Sequence, residues 1–120
     1  MPVDMVKGVE VISLWAEDVA KTAHFYKDVL GLKLLEHHHN GRPHFIVGGV
    51  YLTILKGKPR PAENSDPSRF PLFAFRVDDL DAAVERLQAH RVELPWGVEE
   101  RVSSRWVMFY DPAGNLIELT

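Results

Sequence analysis

Two groups of side chains in this 120-residue chain could do chemistry. The first is a single carboxylate. Glu118 stands in Leu116-Ile117-Glu118-Leu119-Thr120, behind Asp111-Pro112-Ala113-Gly114-Asn115, whose Asp-Pro and Gly-Asn pairs mark a tight turn. A period of two puts Leu116, Glu118 and Thr120 on one face of a strand and Ile117 and Leu119 on the other. Glu118 is then either a solvated strand carboxylate or a polar anchor that hydrogen-bonds a ligand or serves as the catalytic acid or base. Burial would raise its pKa toward that second use. The other group is the run Glu36-His37-His38-His39-Asn40-Gly41-Arg42-Pro43-His44. With Asn40-Gly41 as the two central residues of a hairpin turn, His39 faces Arg42, His37 faces His44 and Glu36 faces Phe45. Two imidazoles side by side could share a metal ion, although polar residues at a hairpin tip are ordinarily just solvated.

The elements that must position these groups repeat. Gly8 to Ala16 reads as a strand with Val9, Val11, Ser13 and Trp15 on one face and Ile12 and Leu14 on the other. Asp18 is placed to cap a helix from Val19 to about Leu30, which Gly31 ends. Extended segments follow over Leu32 to His39, Arg42 to Val47 and Val50 to Leu55. Lys56 to Arg69 is polar and proline-rich without periodicity. Pro71 to Val77 then reads as a strand, with Phe73, Phe75 and Val77 opposed to Leu72, Ala74 and Arg76. Asp78 is placed to cap a helix through His90, and strands are expected around Val98 to Val102, Arg105 to Tyr110 and Leu116 to Thr120. The order is strand, helix, three strands, twice over: an α+β chain of two βαβββ modules at about 6–57 and 71–120, joined by a linker at 58–70. One such unit leaves one face of its sheet uncovered, so two must pack together in a single domain.

Composition excludes several classes. The net charge is −3, with no lysine or arginine cluster, which argues against a nucleic-acid partner. There is no cysteine, so disulfides, thiolate nucleophiles and cysteine metal sites are out. No apolar run approaches the roughly 20 residues of a membrane span, and the N-terminus carries no secretory pattern, so the expected location is cytoplasmic.

Three stretches together resemble the vicinal oxygen chelate superfamily, which includes glyoxalase I, the bleomycin-resistance proteins and the extradiol dioxygenases. They are Val11-Ile12-Ser13-Leu14-Trp15-Ala16-Glu17-Asp18 with His24-Phe25-Tyr26-Lys27-Asp28-Val29-Leu30-Gly31-Leu32, then Phe75-Arg76-Val77-Asp78-Asp79-Leu80, and Phe109-Tyr110-Asp111-Pro112-Ala113-Gly114-Asn115-Leu116-Ile117-Glu118-Leu119. The resemblance implies two modules whose sheets curl into an open cup, often completed by a second chain, so a homodimer is expected. Enzymes of the family hold a divalent metal in that cup through His and Glu side chains from four strands. Carried over residue by residue, those four positions are Val11, Tyr51 (or Thr53, one alternation along), Leu72 and Glu118. Only Glu118 is a usual ligand, and valine and leucine cannot coordinate. No cofactor is therefore expected, with a divalent metal left open.

Two functions follow. In the first, a metal-free cup lined by Val11, Trp15, Tyr51, Thr53, Leu72 and Trp106 binds a small apolar or aromatic molecule. Glu118 anchors that molecule, with Arg76, His37 and His44 as further ligand contacts. In the second, the chain is an enzyme: a metal-dependent lyase, isomerase or dioxygenase with displaced ligands, or a metal-free catalyst using Glu118. Trp96 and Tyr110 are further aromatic candidates, against the ordinary alternative that such rings are simply core.

Overall fold

The structure is a computed structural model that describes residues 5–35, 42–59 and 71–120. The first module runs β1 (Val11–Ala16), α1 (Val19–His24) continuing as a π-helix (Phe25–Val29), β2 (Lys33–Leu34), β3 (His44–Val47) and β4 (Val50–Lys56). The second runs β5 (Ala74–Phe75), α2 (Leu80–Ala89), β6 (Val98–Arg101), β7 (Ser104–Tyr110) and β8 (Leu116–Leu119). Each module makes a mixed four-stranded sheet, ordered β1-β4-β3-β2 and β5-β8-β7-β6, which curls without closing. The first strand of each module lies parallel to the last, and the remaining pairs are antiparallel. The expected two βαβββ modules are therefore present.

Local details depart from the sequence reading for identifiable reasons. Asp18 caps α1 as expected, its Oδ1 accepting from Lys21 N–H at 3.0 Å. The helix does not stay α-helical to Leu30: Leu30 N–H reaches Phe25 carbonyl at 3.1 Å, a π turn. Consecutive Phe25 and Tyr26 both end up buried there, edge to face with centroids 5.6 Å apart. Asp79, not Asp78, caps α2, because it is Asp79 whose Oδ1 reaches Ala82 N–H at 3.0 Å. In the β2–β3 hairpin Leu34 faces Phe45, where Glu36 was expected, and Leu35 N–H donates to the His44 carbonyl at 2.9 Å. The register is thus two residues away from the one an Asn40-Gly41 turn dictates, and His44 stands opposite Leu35 instead of His37. Residues 36–41, which include His37, His38 and His39, lie outside the described residues.

One core serves both modules. Leu14, Ala16, Leu52, Ile54 and Phe45 of the first sheet join Val107, Phe109, Ile117 and Leu119 of the second, with Phe25, Tyr26 and Leu87 from the helices between them. Phe25 packs on Phe109 across the module boundary, centroids 6.0 Å apart. The helix-covered faces of the two sheets therefore share an interior, and the opposite faces look outward.

A polar cluster is buried at that junction. Asp111, 3% exposed, accepts from four donors: Tyr26 Oη at 2.7 Å, Ala113 N and Asn115 N at 2.9 Å, and Asn115 Nδ2 at 3.0 Å. Asn115 Nδ2 also donates to the Trp15 carbonyl at 3.0 Å. Gly114, at φ +96°, supplies the left-handed residue that closes the turn. The Asp-Pro-Ala-Gly-Asn turn thereby ties the end of the chain to β1 and to the first module's helix.

Candidate functional site

Strand registers sort the candidate residues onto faces. On the outward face of the first sheet, Val11 pairs with Tyr51, Ser13 with Thr53 and Trp15 with Leu55, while His44 lies beside Thr53 and Ile46 beside Tyr51. On the outward face of the second, Glu118 lies between Ala74 and Met108, and Trp106 lies beside Glu99. Leu72 N–H donates to the Leu116 carbonyl at 2.9 Å, which brings Leu72 alongside the start of β8. The strand registers thus gather the candidate side chains into two sets, one on each sheet. Val11, Trp15, Tyr51, Thr53 and His44 form one set, Leu72, Trp106 and Glu118 the other. The four positions carried over from the family resemblance, Val11, Tyr51, Leu72 and Glu118, fall two on each outward face.

These faces are apolar and open. Val11, Trp15, Ile46, Leu72 and Tyr110, all on the outward sides of the sheets, are among the exposed large hydrophobic residues. Exposed apolar side chains gathered on one face are a common feature of binding surfaces. Trp15 lies close against Gly57; a side-chain carbon at residue 57 would come within 2.5 Å of Trp15 Cε3. Glycine there lets the indole lie against the backbone at the rim. Trp96 packs over Tyr110, centroids 6.5 Å apart, and partly covers the second face.

Glu118 is half-buried, and its carboxyl pKa lies above the usual value, first through desolvation and then through the nearby Glu99 carboxylate. Glu99 Oε1 and Trp106 Nε1 are themselves fully buried atoms. Glu99 was missed in the sequence, because its face depends on the β6–β7 register. The raised pKa has a testable sign. A carboxyl that ionises less readily when folded contributes stability below its unfolded pKa, and that contribution is lost as pH rises through the folded value. Glu118→Gln is therefore expected to melt at a higher temperature than the wild type at pH 7, with the gap closing toward pH 4. Circular-dichroism melts across that range check it, and a lower Tm for the variant at pH 7 contradicts the placement.

Other candidates sit differently. Thr53 is 5% exposed and its hydroxyl donates to the Pro43 carbonyl at 3.0 Å, so its proton is already committed. The His44 Nδ1 atom lies 3.0 Å from the Arg42 carbonyl oxygen. Arg76 falls just beyond the end of β5 and lines an apolar pocket between the modules with Phe75 and Val77.

The donor set does not fit the divalent metal that the family resemblance implies. Of the four positions, Val11 and Leu72 carry only hydrocarbon, Tyr51 carries a phenol and Glu118 alone a carboxylate. Among the described residues no group of three or more His, Cys, Asp or Glu side chains is gathered to hold a metal ion. Nor is any helix among them long and apolar enough to cross a membrane.

Comparison with known proteins agrees with this architecture. The chain is 34% identical over 123 residues to the uncharacterised protein YaeR of Escherichia coli (strain K12), with 95% of each chain covered. It is 25% identical to the metallothiol transferase FosB of Staphylococcus saprophyticus, over 96% of this chain and 77% of that protein. Among solved structures it superposes on TnmS3, an antibiotic binding protein from Streptomyces sp. CB03234, at a TM-score of 0.78 and 25% identity, covering 98% of both chains. Residues 8–119 match one family along nearly their whole length, and the chain belongs to the glyoxalase/bleomycin resistance protein/dioxygenase superfamily.

Proposed function

We propose that this chain is a metal-free binding member of its superfamily, taking a small apolar or aromatic molecule against the outward sheet faces with Glu118 as the polar anchor. The observation that carries the reading is the chemistry at positions 11 and 72. Both stand exposed on the open faces as hydrocarbon, where a metal centre would need donors. An aromatic guest finds Trp15 and Tyr110 as half-exposed surfaces on which to stack. The likeness to TnmS3, named as an antibiotic binding protein, supports binding without committing to a ligand.

The cup in this reading is shared between two copies. Within one chain the sheets are joined through their helix-covered sides, so the outward faces do not close on each other. Among the described residues β1 pairs only with β4 and β5 only with β8, so each stands at an edge of its sheet where another chain could add. A second copy would cover the exposed apolar side chains and bring Val11 and Tyr51 of one chain over Leu72 and Glu118 of the other. Sedimentation is expected to give twice the 13.7 kDa chain mass.

A specific observation favours a second reading. The raised pKa of Glu118 suits a metal-free general acid or base, and FosB, named as a metallothiol transferase, shows that a relative is an enzyme. One pair of measurements separates these readings from metal chemistry. Untagged protein purified without nickel resin or chelator is expected to carry metal at background level by elemental mass spectrometry. The neutral fluorophore N-phenyl-1-naphthylamine is expected to bind saturably, with Trp15→Ala weakening it about tenfold. Near-stoichiometric metal, or an affinity indifferent to Trp15→Ala, overturns the proposal.

A further inference from the structure

Away from the outward faces, the two modules leave a second concavity of about 170 Å³ between them, partly open to solvent. Its walls are Val29 and Leu30 from the end of the first helix, Ala83 and Leu87 from α2, and Phe75 and Leu119 from the helix-covered face of the second sheet. Leu87 and Leu119 are core residues, so the pocket reaches the shared interior. Among the described residues its only charged lining side chains are Arg76 and Arg86, and none of its described lining residues is acidic.

The two arginines differ in what they are already doing. Arg86 Nε donates to the Val29 carbonyl at 2.8 Å and its Nη2 to the Asp28 carbonyl at 3.4 Å, closing off the end of the π-helix. That guanidinium is fixed by the fold. Arg76 is exposed and has no hydrogen-bond or ion-pair partner among the described residues. An apolar pocket with two arginines and no carboxylate in its described lining, one of those arginines uncommitted, has the electrostatics of a receptor for an amphipathic anion. A cation would be repelled by both groups, and a neutral hydrocarbon would leave Arg76 unused.

We propose that this inter-module pocket is a second binding site, for a small apolar carboxylate. Its acid group pairs with Arg76 while its hydrocarbon end lies against Leu87 and Leu119. Guanidinium–carboxylate pairs are strong and directional because two parallel N–H donors match two oxygens. The size argues for a short acid: a cavity of about 150 Å³ accommodates a benzene ring, so a chain of roughly six to eight carbons or one aryl group fills this one. The apolar walls lie on the helix-covered side of the second sheet, away from Val11, Tyr51 and Glu118, so this site is separate from the one proposed above.

Octanoate is the probe, followed by methyl-resolved NMR on the full chain. The expected result is saturable shifts confined to the methyls of Val29, Leu30, Val77, Leu87 and Leu119. Octan-1-ol should bind at least about tenfold more weakly, and Arg76→Gln should lose a similar factor for octanoate while leaving octanol unchanged. Ala83→Phe, which fills the pocket, should abolish both; should that variant not fold, Arg76→Gln and the octanol comparison decide alone. Shifts centred on Val11 and Leu72, equal affinity for acid and alcohol, or octanoate affinity unchanged by Arg76→Gln would each overturn the inference.

Discussion

Asp111→Ala is expected to cost about 3–5 kcal/mol of stability, a fall in Tm of roughly 10–20 °C, because it removes a buried acceptor with four donors aimed at it. Two of those donors are backbone N–H groups of the turn, so the turn loses its template. A third, Tyr26 Oη, is left in an apolar interior with nothing to accept its proton. Tyr26→Phe removes one donor and leaves the other three in place, so it should cost only about 1–2 kcal/mol. The double variant should lose less than the two single losses added, since Asp111→Ala has already stranded the hydroxyl that Tyr26→Phe deletes. Urea titrations of the four proteins close the cycle. Strict additivity would mean that the Tyr26–Asp111 hydrogen bond does not form.

The same pair sets an alkaline limit. Tyr26 is held well above the usual tyrosine pKa by burial, and further by the Asp111 carboxylate. The unfolded chain loses this proton near pH 10 while the folded chain keeps it, so stability present below that pH is lost as pH rises through the folded value. Tyr26→Phe should flatten the decline in Tm above pH 10. An unchanged slope would show that other groups carry it.

If the proposed metal-free reading holds, Val11→His combined with Leu72→His is expected to give a chain that binds Zn²⁺ stoichiometrically where the wild type does not. The two imidazoles would join Glu118, giving two His and one carboxylate, the donor set of many open zinc sites. The gain should be thousands-fold or more over wild type, since hydrocarbon at positions 11 and 72 offers no donor at all. Each single variant should gain far less, because one His and one Glu do not complete a site. Calorimetry with Zn²⁺, repeated with Glu118→Gln added, checks it. Stoichiometric binding that survives the loss of Glu118 would place the ligands elsewhere. No gain in the double variant would show that these positions do not converge.

How much of this was legible in the sequence depended on how far apart the interacting residues lie along the chain. The alternation in β8 and the turn before it could be read directly, because polar turn residues and a period of two are local signals. The same holds for Asp18 as a cap. Asp78 and Asp79 are adjacent and equally suited to capping, so only the observed hydrogen bond could choose between them. The pairing that an Asn40-Gly41 turn dictates differs by two residues from the observed one at Leu34 and Phe45, because the turn signal says nothing of the pull of Leu34 toward Phe45 and the core. Alternation separates the two faces of each strand, but which strands neighbour one another is set by pairing between distant segments and is not carried by periodicity. Neither Glu99 as the neighbour of Glu118 nor Asp111 as a buried hydrogen-bond acceptor can be read from the sequence. Their partners are a strand away in one case and 85 residues away in the other. The second pocket was equally invisible, since its walls come from both modules.

The Tyr26–Asp111–Asn115 junction also bears on how the chain is made. A ribosome releases the first module long before residue 111 exists, so for most of its synthesis Tyr26 has a hydroxyl and no acceptor, and Phe25 has no Phe109 to pack against. The nascent first module therefore emerges with its own helix on its sheet but without the second module's share of the common core, which residues 111–120 complete. Premature termination before Asp111 should yield a product recognised by proteases along its whole length, where truncation within an autonomous second domain would have spared the first.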